Sequence, residues 1–231
     1  MSISRHDQPP VLQTVRPPDP APAWTAAPAE PVTWITSPLA VAVPLMAVDI
    51  AAFGDPMRDG DAQAHLRRTL YEHLAESFAL TQVPWQECYL EDRGDGAVIV
   101  APAQVDPAYL LDPFAHHMTA LLRRSNRLAS RAGRLRLRVA VHTGRVRHDG
   151  RGLLGHDLIH LFRMLEAAAF KRALDACDAD MGMIVSDPLY ADTRARGGLF
   201  NPDAYRPLEL RHKRTRTRGW LWLPPAFRPA G

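Results

Sequence analysis

The 231 residues, 46% of them hydrophobic, suffice for one domain with a sizeable core and are too apolar for wholesale disorder. Two cysteines, Cys88 and Cys177, make neither a disulfide framework nor a zinc site. The polar start has no export core and no apolar run approaches the ~20 residues of a membrane span, so a cytoplasmic protein with no membrane partner is expected. Net charge is only +3, and the basic residues cluster at Arg123–Arg124, Arg131–Arg138 and Arg211–Arg218. Without interleaved aromatics or a helix-turn-helix pattern these clusters read as solvated faces, and nucleic acid is disfavoured as a partner.

Residues 1–38 are dense in proline, which removes backbone donors and blocks helix and sheet interiors, so an extended tail is expected there. The folded part is expected over 39–225, with a short tail at 226–231. The apolar run from Leu39 to Ile50, carrying Asp49 near its end, suits a central strand covered on both faces. Ala62, Leu66, Leu70, Leu74 and Phe78 recur at helical spacing, and Pro84 stops that helix. Trp85–Leu90 and Ala97–Val100 read as strands joined by the tight turn Gly94-Asp95-Gly96. Asp106-Pro107 opens a helix running to about Ser130, with Leu110, Leu111, Phe114, Met118, Leu121 and Leu122 inward. Leu135, Leu137, Val139 and Val141 alternate with Arg136, Arg138, Ala140 and His142, which predicts a strand with one exposed face. A short strand over Arg145–His148, a helix from His156 to about Leu174 and a strand over Met183–Ser186 follow. Leu208–Arg211 and Trp220–Leu223 predict a last hairpin over a basic loop. Hairpins mixed with helices predict an α+β sandwich with a largely antiparallel sheet. No Gly-rich phosphate loop of the Rossmann or Walker kind is present.

Two carboxylates carry the chemistry. Asp49 ends the first strand and Asp95 sits in a hairpin turn expected beside it. Paired carboxylates next to apolar strands repel unless a proton or a hard divalent cation intervenes, and magnesium favours one or two carboxylates plus phosphate oxygens. Each aspartate alone also reads as an ordinary turn or cap residue.

Val48-Asp-Ile-Ala-Ala-Phe-Gly-Asp resembles the first metal motif of the class III adenylyl and guanylyl cyclases. Glu91-Asp-Arg-Gly-Asp-Gly-Ala-Val-Ile-Val resembles their second, and Val139-Ala-Val-His-Thr-Gly-Arg-Val their central strand and turn. Gly155 through Arg163 resembles the helix bearing the catalytic Asn and Arg, and Lys213 the phosphate-contacting lysine. The order holds across about residues 41–223. The resemblance implies a ferredoxin-like sandwich that makes a 3′,5′-cyclic nucleotide from a nucleoside triphosphate. Its metal is Mg²⁺ or Mn²⁺, held by Asp49, Asp95 and the Ile50 carbonyl. Arg163 and Lys213 are the implied catalytic cations, and the implied partner is a second copy of the chain, in a homodimer. Glu91 stands where guanylyl cyclases carry Glu, which favours GTP slightly. Gly152 falls at the opposite base-selecting position, and Phe53 at a substrate-facing one where Gly54 replaces the common Thr. Ile159 occupies the position of the catalytic Asn, and His160 beside it points about 100° away on a helix. Ile159 keeps open the alternative of a weakened nucleotide-binding or dimerisation module that regulates a partner.

Overall fold

The computed structural model describes residues 41–198, 200–212 and 215–225; Lys213, the Pro-rich stretch 1–38 and the tail 226–231 lie outside the described residues. Nine strands and five α-helices follow one another in these residues. A seven-stranded sheet has the order β2-β3-β1-β4-β7-β9-β8. Its strands are β1 (Val43–Ile50), β2 (Tyr89–Asp92), β3 (Gly96–Val100), β4 (Leu137–Gly144), β7 (Met181–Ser186), β8 (Tyr205–His212) and β9 (Thr215–Trp222). β4 and β7 pair in parallel and the other neighbours antiparallel. β5 (Arg147–His148) and β6 (Leu153–Leu154) form a separate small hairpin. The mixed α+β class and the largely antiparallel sheet are as the sequence predicts.

Strand alternation sends odd and even residues to opposite faces, and both faces are covered. Met46, Val48 and Ile50 of β1 pack under α1 (Gly60–Leu80) and α2 (Asp112–Asn126) with Leu70, Phe78 and Phe114. Val43, Leu45 and Ala47 face α3 (His156–Leu165) and α4 (Ala168–Asp175) through Leu161, Met164 and Phe170. Every residue of β1 is therefore buried, which is why its sequence is a continuous apolar run.

Several boundaries differ from the sequence reading, each for a physical reason. The expected exposed face of β4 is covered: α3 packs on it, and Ala140 and His142 are buried. Trp85–Glu87 forms a 3₁₀ turn and the strand starts at Tyr89. Pro107–Leu110 is likewise 3₁₀, and α2 ends at Asn126, whose amide brackets the Leu135 backbone with two 2.8 Å bonds. The helix expected over 156–174 is two helices, because Ala167 is extended (ψ 124°) and so drops Phe170 onto the sheet. α5 (Asp187–Arg196) escaped the periodicity because it buries only Leu189, Tyr190 and Thr193. The last hairpin is longer than expected, so Arg216 and Arg218 belong to a strand and not to a loop.

Candidate active site

The end of β1 is the centre of the site. The register sets Asp49 opposite Gly96 of β3 and Arg138 of β4. The Ile50 N–H donates to the Asp95 carbonyl at 2.8 Å, which fixes the β2–β3 turn against the strand end. Asp49 and Asp95, far apart in the chain, are thereby brought to one place. A Cβ on Gly96 would lie 2.0 Å from the Val48 carbonyl oxygen, so only glycine permits this approach.

Asp49 is 7% exposed. Both its oxygens accept from Arg138, Nε at 2.7 Å and a terminal nitrogen at 2.5 Å, a bidentate fork. Burial pushes the Asp49 carboxyl above the ordinary range, against the pull of Arg138, and nearby Glu166 and Asp95 add to the rise. Arg138 is thus a site residue that the sequence reading placed on an exposed face. Its alternation was legible, but its partner across the sheet was not.

The hairpin turn is clamped from α1. Tyr71 donates to the Asp92 carboxylate at 2.5 Å, and Arg67 bonds both that carboxylate and the Gly94 carbonyl. Burial alone would raise Asp92, but these bonds and the Gly94 N–H outweigh it and hold its carboxyl below the usual range. Asp95, beyond the clamp, is exposed. The turn after β1 is held by Arg58, which donates to the carbonyls of Ala51 (3.0 Å), Ala52 (2.8 Å) and Arg134 (3.0 Å). Ala52 needs that support, since its φ of 55° is left-handed. The Ile50 carbonyl accepts from Phe53 N–H at 3.2 Å, and Phe53 is half-buried against the α1–α2 core.

A second pair meets at the β5–β6 hairpin. Glu91 is half-buried, with Arg93 at 2.7 Å and with Tyr89 Oη (3.1 Å) and Leu153 N–H (3.2 Å) donating to it. A Cβ on Gly152 would stand 3.6 Å from the same carboxylate. The structure therefore brings Glu91 and Gly152 together. Arg163 on α3 is half-buried and forms no ion pair or side-chain hydrogen bond among the described residues. Ile159, one helical turn earlier on the same face, is 49% exposed. His160 turns away toward His142, with ring centroids 5.0 Å apart, and so does not stand in for the missing Asn.

Asp49, Asp95 and the Ile50 carbonyl offer only oxygen, which suits a hard divalent cation that also takes phosphate oxygens. Among the described residues no group of three or more His, Cys, Asp or Glu side chains is arranged to hold a metal by itself. Arg138 is the competitor that such a cation would displace from Asp49.

No protein-family model and no curated protein matches the chain. Solved structures do. An adenylate/guanylate cyclase/hydrolase from Silicibacter pomeroyi is similar at a TM-score of 0.55 and 17% identity, covering 80% of this chain and 97% of that one. The guanylate cyclase domain of RhGC from Catenaria anguillulae, in complex with GTP, superposes at 0.52 with 16% identity, over 79% of this chain and 96% of that one. This chain has the fold of a class III nucleotidyl cyclase domain. A non-canonical dimeric guanylyl cyclase domain of the RhoGC fusion protein from Blastocladiella emersonii shares the same cyclase fold at 0.50 and 15% identity, over 78% of this chain and 95% of that one. Among the described residues of this cyclase-like domain, no helix is long and apolar enough to cross a membrane.

Proposed function

We propose that the chain is a nucleotidyl cyclase. It would convert a nucleoside triphosphate, GTP ahead of the others, into a 3′,5′-cyclic nucleotide and pyrophosphate at the interface of a homodimer. One observation supports the reading: on a cyclase fold, the backbone bond from Ile50 to Asp95 brings the turn that bears Asp95 against the strand end that bears Asp49. The GTP complex among the structural neighbours supports the substrate class.

Asp49, Asp95 and the Ile50 carbonyl would hold Mg²⁺ or Mn²⁺, which when bound makes the ribose 3′-hydroxyl more acidic and neutralises triphosphate charge. Arg138 would have to release Asp49 for the cation to bind there. The 3′-oxygen forms a bond to the α-phosphorus and its proton passes to water. The bond from that phosphorus to the bridging oxygen breaks, and pyrophosphate leaves with the electron pair. Arg163 and Lys213, from the partner copy, offset the charge that builds up on the phosphates. Glu91, which Tyr89 and Leu153 orient, would accept from the guanine ring N–H and amine once Arg93, its ion-pair partner at 2.7 Å, gives way.

Ile159 and the engaged Asp49 favour a second reading, a weakened nucleotide-binding or dimerisation module that regulates a partner. One experiment separates the two. The chain is incubated with each ribonucleoside triphosphate and Mg²⁺ or Mn²⁺, and products are read by mass spectrometry. A cyclic mononucleotide that disappears in Asp49→Ala and Asp95→Ala is expected, and Glu91→Lys should weaken the preference for GTP. Turnover that survives both aspartate changes overturns the assigned site. Metal-dependent triphosphate binding without turnover establishes the second reading.

A further inference from the structure

A groove of about 500 Å³ lies between α5 and β9, lined by Asp187, Tyr190, Arg194, Arg218 and Trp220 with Ala191 and Ala195. It is on the opposite face of the sheet from Asp49, the buried carboxylate of the cyclase site. Trp220 packs with the α1–α2 core, whereas Asp49 follows Val43, Leu45 and Ala47 onto the face covered by α3 and α4. None of its residues takes part in the chemistry proposed above.

Two periodicities build the groove. On α5, Tyr190 and Arg194 are four residues apart and share a helix face. On β9, Trp220 and Arg218 are two apart and share a strand face. The two elements lie side by side with an aromatic ring and then a guanidinium along each. Ala191 and Ala195 are small, which leaves the space open. The rings stack at 3.7 Å with an interplanar angle of 10°. Both are anchored, Trp220 Nε1 to Asp187 at 2.7 Å and Tyr190 Oη to the Pro202 carbonyl at 3.2 Å. Tyr190, 4% exposed, backs the half-buried Trp220 ring, which is the part of the stack a ligand can reach, and the stack does not depend on a ligand to order it.

The charges are unspent. Arg194 and Arg218 are exposed and form no ion pair among the described residues, whereas Arg196 on the same helix pairs with Asp106 and Asp192. Glu209, opposite Arg218 in the ladder, pairs instead with Arg211. At the other end Asp187 spends one oxygen on Trp220, and its second oxygen accepts no bond among the described residues. Asp187 and Arg194 are seven residues apart on α5, about 10 Å along a helix. That is the reach of a nucleoside monophosphate from base edge to phosphate.

We propose that this groove binds a nucleoside monophosphate whose base carries an exocyclic amine. The phosphate lies between Arg194 and Arg218, the base rests against the Tyr190–Trp220 stack, and the amine donates to Asp187. Two cations against one carboxylate leave the groove net positive, as an anionic ligand requires. Guanidinium pairs match phosphate oxygens geometrically, and a base stacked on an aromatic floor needs no sequence of bases around it.

Isothermal titration of the full chain in EDTA tests this, because EDTA removes metal-dependent binding at the cyclase site. AMP, GMP and CMP should bind, with UMP, adenosine and ribose 5-phosphate each about tenfold weaker, the cost of one lost polar or stacking contact. Arg194→Gln and Arg218→Gln should each weaken AMP about tenfold at unchanged melting temperature, and Asp49→Ala should leave it unaltered. Equal binding of AMP by the Arg194→Gln/Arg218→Gln double variant overturns the site, as does absence of binding at millimolar AMP. Tighter binding of a single-stranded RNA than of the monophosphates by more than about a hundredfold also overturns it, in favour of a polymer ligand.

Discussion

Asp49 shows what burial does to a catalytic-type carboxylate. At 7% exposure it needs a counter-charge, and Arg138 supplies one with both oxygens satisfied. His142 is the converse, a buried base whose carboxylate neighbour stands off at the limit of an ion pair. Its Nδ1 lies 2.8 Å from the buried Ser186 hydroxyl, and Asp157 is 3.8 Å from its other nitrogen. Burial, helped by the neighbouring His160, pushes its pKa down to about 4 from 6.5. The unfolded chain therefore takes up this proton first as pH falls, so the contribution of His142 to stability is complete above pH 6.5 and is lost on the way down to about 4. The loss is about 3 kcal/mol for a shift of this size. Urea unfolding measured from pH 7 to 4 should show that slope, and His142→Gln, which cannot take up the proton, should make it shallower, leaving the contributions of His73 and His160, which burial also lowers. An unchanged slope in the variant would place the titrating group elsewhere.

Elements position what residues supply. The β2–β3 hairpin reaches β1 closely because Gly96 lacks a Cβ: the added carbon would meet the Val48 oxygen at 2.0 Å and the Asp49 Cα at 2.8 Å. Both are backbone atoms, so the strain cannot be relieved by a rotamer. Gly96→Ala should cost about 3 kcal/mol or more and speed hydrogen exchange at the Ile50 amide, which depends on the Asp95 carbonyl. Gly94, two residues earlier, has open space around its missing Cβ and only a positive φ of 85°. Gly94→Ala should therefore cost only about 1 kcal/mol. Equal costs for the two variants, read by denaturation, would deny that the close approach is what Gly96 provides.

Across the whole molecule, two apolar layers clasp one sheet and a few buried polar bonds tie distant segments together. Asp112, 4% exposed at the start of α2, accepts Tyr205 Oη at 2.6 Å and the Asn201 N–H at 2.6 Å. This links the second helix to the far edge strand β8. Tyr205→Phe removes one donor from a carboxylate that stays buried, at a cost of about 2 kcal/mol in urea unfolding. Should the variant match the parent in stability, the bond would be idle and the edge strand held by apolar packing alone.

The metal role of Asp49 and Asp95 came from the family resemblance, whereas local chemistry was enough to read the core strands, the helical faces of α1 and α2 and the Gly94-Asp95-Gly96 turn. Each of these is written in neighbouring residues: an apolar run, a 3.6 period, a turn dipeptide. The extra helix α5, with three buried residues, had too weak a period to show, and the break at Ala167 is imposed by the sheet beneath it. Only the tertiary structure decided that Arg138 grips Asp49, that α3 covers the second face of β4, and that Tyr190 and Trp220 stack beside two arginines that form no ion pair among the described residues. The physical reason is common to all three. A side chain's face is set by strand or helix period, but the partner it meets there is set by which strand lies beside it, and that order is not a property of any local stretch of sequence.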